Sequence, residues 1–257
     1  MSAPLAILDV GRLGYAEASA LQAGLVSRRQ AGEIPDTLLL LEHRPVITLG
    51  RNARPEHVLR PGAELAALGV ELAECNRGGD VTYHGPGQLV GYPIFDLRAC
   101  ARPSFLPPRA GRPELGPVDF VRALEEVLTR VAAACGVPAR RVCGLTGVWT
   151  AAEPARKLAA IGIHVARGVT SHGFALNVNA DLAGFGLIVP CGLHQRGVTS
   201  LARESGRDWT VAEVEPLVRA HFLAVFDRQL AAAPLSWDDT SSQCRSSVRD
   251  NAWPLTL

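Results

Sequence analysis

The chain has 257 residues, 47% of them hydrophobic and 20% charged, with a formal net charge of +1. That length buries a full core, as one large domain or two small ones. The composition is that of a soluble globular protein, and the near-zero charge excludes a broad electrostatic pull toward nucleic acid or an anionic membrane. No apolar run reaches the roughly 18 residues of a membrane span, and the opening MSAPLAILDV lacks the basic region and apolar core of a signal peptide.

Residues 5–10 read as a first strand. Tyr15, Ala18, Leu21, Gln22 and Leu25 then recur at helical spacing as far as Gln30, with Gly32 and Pro35 as stops. Residues 37–41 form a short apolar run that predicts a buried strand, 42–45 turn, and 46–49 continue extended. Residues 55–59 and 63–68 predict short helical turns, and 70–74 a strand. The segment 77–88 packs four glycines and a proline into twelve residues, with Arg77, Thr82, Tyr83 and His84 among them. Glycines set an unusual backbone path and let main-chain amides approach a ligand. A plain hairpin turn is the alternative, but it needs no such set of polar side chains.

A strand is expected over 89–97. Residues 98–117 hold five prolines and read as a surface excursion. In 118–135, Phe120, Leu124, Val127, Leu128 and Val131 make one apolar helical face, closed by Gly136 and Pro138. Short strands are expected at 140–143 and 148–150. Two longer ones, 158–166 and 172–178, are joined by a loop of four or so residues at 167–170. Asp181 caps a short turn, and 185–189 lead to Cys191. Residues 199–204 predict a helical turn, and Thr210 with Glu213 has capping-box spacing ahead of a helix over 211–230. Strands joined by hairpins in the middle, with helices on the flanks, predict an α+β single domain with a mixed or antiparallel sheet. Residues 1–230 are assigned to it, and 231–257 form a polar tail with no assignment.

The six cysteines form no C-x-x-C pair and match no zinc spacing. They suit a reducing, cytoplasmic compartment. Lys and Arg total 26, yet Lys157 is the only lysine, so 25 are arginine. Lys can give up its proton when partly desolvated and Arg effectively cannot. A lone Lys therefore fits proton transfer, although chance survival on a surface is the alternative. There is no phosphate-binding G-K-[ST], no G-x-S-x-G and no H-E-x-x-H. Gly85-Pro86-Gly87 precedes a strand rather than a helix, so it is not a dinucleotide fingerprint.

What remains is a thiol and an amine. Cys191 sits between Pro190 and Gly192, which suggests an exposed, backbone-defined position. A free thiol is only roughly 3% thiolate at pH 7. A neighbouring ammonium favours the thiolate and the reverse holds, so the pair titrates together. Such a pair offers a nucleophile for an acyl carbonyl and a proton donor beside it. Cys191 as a buried structural thiol, or a Cys–His dyad with His84, His172 or His194 as base, are the alternatives. His164 has an apolar strand context and receives no role.

Arg77-Gly-Gly-x-Val-Thr-Tyr-His-Gly-Pro-Gly-Gln88, Lys157-x-x-x-Ile-Gly162, Ser171-His-Gly-x-Ala-Leu-Asn-Val-Asn179 and Pro190-Cys-Gly192 together resemble the octanoyltransferases of lipoate biosynthesis. The resemblance runs from about Leu40 through Gly192. It implies a fold similar to the catalytic domain of biotin and lipoate protein ligases. It also implies transfer of octanoyl from octanoyl-acyl carrier protein to a lysine of a lipoyl domain, on a 2-oxoacid dehydrogenase or the glycine cleavage H protein. The intermediate would be a thioester on Cys191, with Lys157 lowering the thiol pKa. Arg77, Gly78, Gly79, Asp80, Val81, Thr82, Tyr83 and His84, then Ala160, Ile161 and Gly162, then Gly173, Phe174 and Ala175, match its substrate-lining segments. Ala160 stands where Ser is common and Phe174 where Leu is common, which bears on chain-length preference. No cofactor, metal, nucleic acid or membrane is implied, and a monomer is expected. A thioester donor and an amide product need no nucleotide. Burying seven alkyl carbons at about 0.8 kcal/mol each gives roughly 5 kcal/mol, enough to sense acyl length. The rivals are an ATP-dependent lipoate or biotin protein ligase and a non-catalytic acyl carrier.

Overall fold

The computed structural model describes residues 3–107, 115–189 and 197–232. Cys191, His194 and the tail beyond 232 lie outside these. Two sheets organise the chain. The larger has eight strands in the order β11-β1-β2-β6-β10-β9-β8-β7, where β1 is Ala3–Leu13, β2 Asp36–His43, β6 Gln88–Ile94, β7 Ala139–Val142, β8 Leu145–Thr150, β9 Lys157–Ala166, β10 Val169–Asn177 and β11 Arg228–Leu230. β1 runs parallel to both β2 and β11, and the other pairs are antiparallel. The smaller sheet is β4-β3-β5, with β3 Val46–Leu49, β4 Glu71–Glu74 and β5 Val81–His84. The helices are α1 (Tyr15–Gln30), α2 (Gly62–Ala67), α3 (Pro117–Ala134), α4 (Leu201–Ser205) and α5 (Val211–Val225). The architecture is the α+β single domain with a mixed sheet that the sequence predicts.

The unbroken Leu38-Leu39-Leu40-Leu41 run of β2 follows from burial on both faces of the large sheet. Leu38 and Leu40 join the core under α3 and α5, with Phe95, Phe120, Leu124, Leu128 and Phe222. Leu39 and Leu41 turn the other way, onto Ala18, Leu21 and Leu25 of α1. The small sheet has its own core of Ile47, Leu65, Val70, Val81, Tyr83, Phe185 and Ile188.

Four expectations need correction. The 167–170 loop is a two-residue turn, because Arg167 and Gly168 both take positive φ, 52° and 84°, as a type I′ hairpin requires. Thr170 is therefore a strand residue, and its hydroxyl donates to the Pro93 carbonyl at 2.6 Å. The helix expected through 230 ends at Val225. Phe226 stays in the core, stacked 4.7 Å from Phe222, Asp227 turns at φ 47°, and Arg228 reaches the buried Asp36 at 2.7 Å. Arg29 holds the other oxygen of that carboxylate at 2.8 Å, so a buried ion cluster fastens β11 to the sheet edge. The glycine-rich segment is not all loop: Val81–His84 is β5, paired with β3. The 98–117 excursion is not merely superficial either. Cys100, Leu106 and Leu115 are core residues, and Arg102 pairs with the buried Asp119 at the start of α3. Residues 108–114 lie outside the described residues.

Candidate active site

β9 and β10 on one side, and the 77–84 segment with β3 on the other, enclose a cavity of about 770 Å³, a size suited to a small ligand. Two glycines make the enclosure possible. Gly78 N–H donates to the Ile163 carbonyl at 3.0 Å, and a Cβ on Gly162 would lie 2.6 Å from the Gly78 oxygen, so this approach admits only glycine. Gly87 takes φ +81°, and its carbonyl accepts from the N–H groups of Val178 and Asn179, both at 3.1 Å. The glycine-rich loop is thus fastened to the end of β10.

Lys157 opens β9 and is 9% exposed. Strand register pairs it with Trp149 of β8, and its Nζ lies 4.8 Å from the Trp149 ring centroid, a cation–π distance. Its main chain holds the segment that follows the cysteine. Lys157 N–H donates to the Gly197 carbonyl and Thr199 N–H donates to the Lys157 carbonyl, each at 2.9 Å. Before the cysteine, Val189 N–H donates to the His57 carbonyl at 2.8 Å. His57 and Lys157 both line the cavity. The two described ends of the Cys191 segment are therefore both fixed at its wall.

Arg77, Gly78, Gly79, Asp80, Val81, Thr82, His84, Ala160, Ile161, Gly162, Gly173, Phe174 and Ala175 all line this cavity with Lys157. Tyr83 does not. Its ring stands edge-on to Phe185 at 5.6 Å, inside the core of the small sheet, because alternation along β5 sends Thr82 and His84 one way and Tyr83 the other. Residues that sequence reading left without a role also reach the wall: Tyr15, Thr48, His57, Tyr92, Leu145 and Trp149. Only the strand register could have found Trp149. His164 is partly exposed on β9 and does not line the cavity.

Two buried histidines, His84 and His172, line the cavity, and a third, His43, lies behind them against His84 and Tyr92. His43 Nε2 contacts the Tyr92 hydroxyl at 2.7 Å, His84 Nδ1 contacts Gln88 Oε1 at 2.6 Å, and His172 Nε2 contacts Asn76 Oδ1 at 2.6 Å. His172 adopts φ 56° within β10, and its N–H is taken by the Gln22 side chain of α1. Histidine tolerates that backbone better than most residues. Burial pushes His43 down to about 4, His84 down to about 3 and His172 down to about 4; His43 adds to the effect on His84, and Arg77 to that on His172. All three are neutral at pH 7. The unfolded chain, with histidine near 6.5, binds protons first as pH falls. Stability that is full above about pH 6.5 is then lost toward pH 4, by at most about 1.4 kcal/mol per pH unit for each histidine. Urea midpoints measured from pH 7 to 5, above most carboxylate titration, are expected to fall steadily. A flat profile would mean that these rings are solvated.

The fold and this wall define a class. The model of the lipoyl protein ligase A/B catalytic domain matches residues 14–223, and the chain belongs to that family. Within it, the chain is 52% identical over 224 residues to the octanoyltransferase of Koribacter versatilis, covering 87% of this chain and 85% of that one. It is 45% identical to the octanoyltransferase of Geobacter sulfurreducens, covering 98% and 99%. Among solved structures, a bipartite lipoate protein ligase from Thermoplasma acidophilum superposes with TM-score 0.68 at 15% identity, covering 96% of this chain and 91% of that one. A lipoate-protein ligase A bound with ATP gives TM-score 0.68 at 15% identity, covering 96% and 94%. At such identities the likeness is one of fold.

Proposed function

We propose that this chain is an octanoyltransferase that moves the octanoyl group of octanoyl-acyl carrier protein to a lysine of a lipoyl domain, through a thioester on Cys191. The observation that carries the reading is the position of Lys157. The single lysine of the chain stands on the cavity wall, hydrogen-bonded through its main chain to the segment that follows Cys191. The apolar wall of Ile161, Ile163, Phe174 and Ala175 suits an alkyl chain. The identity with octanoyltransferases over most of the chain supports the same donor and acceptor.

The chemistry balances with these two groups. The Cys191 thiolate attacks the thioester carbonyl carbon. The carbon–sulfur bond to the carrier breaks, and the departing thiolate takes a proton from the Lys157 ammonium. The Lys157 amine then takes a proton from the ammonium of the acceptor lysine, whose nitrogen attacks the acyl-enzyme. The bond to Cys191 breaks, the thiolate is restored, and the new amide nitrogen releases one proton to solvent. His84 and His172 are weaker candidates for this base. Rings held near 3 and 4 by burial are poor acceptors for the proton of a thiol. A reducing cytoplasmic setting would keep the thiol free. The described cysteines, Cys75, Cys100, Cys135 and Cys143, are all unpaired.

An ATP-dependent ligase and a non-catalytic acyl carrier are separated from this reading by one measurement. Mixed with octanoyl-acyl carrier protein and no nucleotide, the protein is expected to gain the mass of one octanoyl group, which chases onto an added lipoyl domain. An absolute requirement for ATP, or bound octanoate with no covalent adduct, would overturn it.

A further inference from the structure

Gln88 and Asn177 belong to the motifs that carry the family likeness, yet neither lines the main cavity. Both are buried, at 2% and 3% exposure. They occupy the middle of a hydrogen-bond chain whose donors all point the same way. Arg77 Nη2 donates to Thr48 Oγ1 at 3.0 Å, and Thr48 Oγ1 lies 3.4 Å from His84 Nε2. His84 Nδ1 faces Gln88 Oε1 at 2.6 Å. That oxygen can only accept, so Nδ1 carries the proton, Nε2 is bare, and the Thr48 hydroxyl is its donor. Gln88 Nε2 donates to Asn177 Oδ1 at 2.8 Å, and Asn177 Nδ2 donates to the Thr199 carbonyl at 2.9 Å. Thr199 N–H in turn donates to the Lys157 carbonyl at 2.9 Å.

We propose that Gln88 and Asn177 are positioning residues for the transfer reaction: their amides fix the Thr199 segment, eight residues after Cys191 in the chain, against the Lys157 main chain, and the reaction of thiol and amine depends on that anchorage. The inference rests on the Cys191–Lys157 reading above. Its physical content is directional. Each amide has one oxygen and one NH₂, so the chain tolerates a single orientation of each, and a bond reversed at one link propagates to the next. Arg77 lies at the cavity end and Thr199 at the lysine end, which ties the substrate wall to the reacting pair. Asn177 would act without touching substrate.

Near-isosteric carboxylates test the direction. In Asn177→Asp an oxygen replaces the NH₂ that faces the Thr199 carbonyl, and the two repel. In Gln88→Glu an oxygen faces Asn177 Oδ1. The Asn177 amide turns its NH₂ toward Glu, and its oxygen then meets the Thr199 carbonyl two links away. Both variants are expected to lower kcat on the order of 100-fold, as misplacement by about 1 Å does, while the KM for the acceptor lipoyl domain stays within about twofold, the split expected when a transition-state interaction is lost. Both are also expected to raise the pH midpoint for iodoacetamide alkylation of Cys191, followed by peptide mass, by about one unit. A purely structural role would lower thermal stability without moving that midpoint.

Lys157→Met serves as the reference. If it leaves the Cys191 midpoint where wild type has it, the Cys191–Lys157 reading fails and this inference falls with it. A midpoint that responds to Lys157→Met, but not to Asn177→Asp or Gln88→Glu, overturns the positioning role alone. Should the carboxylate variants not fold, Gln88→Met, similar in volume and uncharged, is read by the same criteria.

Discussion

Replacing Cys191 with alanine is expected to abolish both the acyl-enzyme and turnover, a loss on the order of 10⁴-fold or more, as when a covalent nucleophile is removed elsewhere. The size follows from the lack of a substitute among the described cysteines. Cys100 and Cys135 are buried in the main core, where burial pushes their thiols up to about 12 and about 11. Neither can supply thiolate at neutral pH. Cys75 is held by its thiol to the Leu49 carbonyl at 3.2 Å, and Cys143 is exposed at the β7–β8 turn. None of these four lines the cavity. Serine at 191 keeps the shape but not the acidity. A hydroxyl beside an ammonium remains a hydroxyl at pH 7, so Cys191→Ser is expected to fall with alanine. Intact mass after mixing with octanoyl-acyl carrier protein checks both variants against wild type. One octanoyl group retained on the alanine variant, or turnover within tenfold of wild type, would show that the acyl group passes through another residue or passes directly.

Much of this site is legible in the sequence because it rests on local rules. The β2 leucines and the apolar face of α3 announce themselves by period. The glycine-rich segment is visible because close backbone approach tolerates only glycine, as Gly87 shows with its positive φ and a Cβ that would lie 2.8 Å from the Ala180 nitrogen. The illegible parts depend on partners distant in the chain. β11 forms because Arg228 finds Asp36, 192 residues earlier. Nothing in the local sequence after Val225 distinguishes that strand from one more helical turn. Tyr83 looks like a substrate residue in a row of motif residues, and only the pairing of β5 with β3 sends its ring into the other core. The Gln88–Asn177 bond joins residues 89 apart and becomes visible only once β6 and β10 are paired in register, with Gln88 opposite Asn177.

Lys157→Arg is expected to cost about 10³-fold or more in turnover while leaving the thiol activated, which separates two duties that a lysine performs together. Arginine keeps the positive charge, and a guanidinium can stack on Trp149 where the ammonium now lies 4.8 Å from the ring. The thiolate would still be favoured by a neighbouring cation, so the alkylation midpoint of Cys191 is expected below pH 8 in both proteins and above 8.5 in Lys157→Met. Turnover depends on more than charge. The departing carrier thiolate needs a proton and the incoming lysine must lose one, and a guanidinium gives up none at any pH the protein survives. The arginine variant is therefore expected to be alkylated like wild type but to acylate slowly and to transfer more slowly still. The longer side chain must also fit a site that leaves Lys157 only 9% exposed. The preserved alkylation profile controls for that, because a displaced Cys191 segment would shift it. Wild-type turnover in Lys157→Arg would show that charge alone suffices, and the proton would then have to travel through another group on the cavity wall.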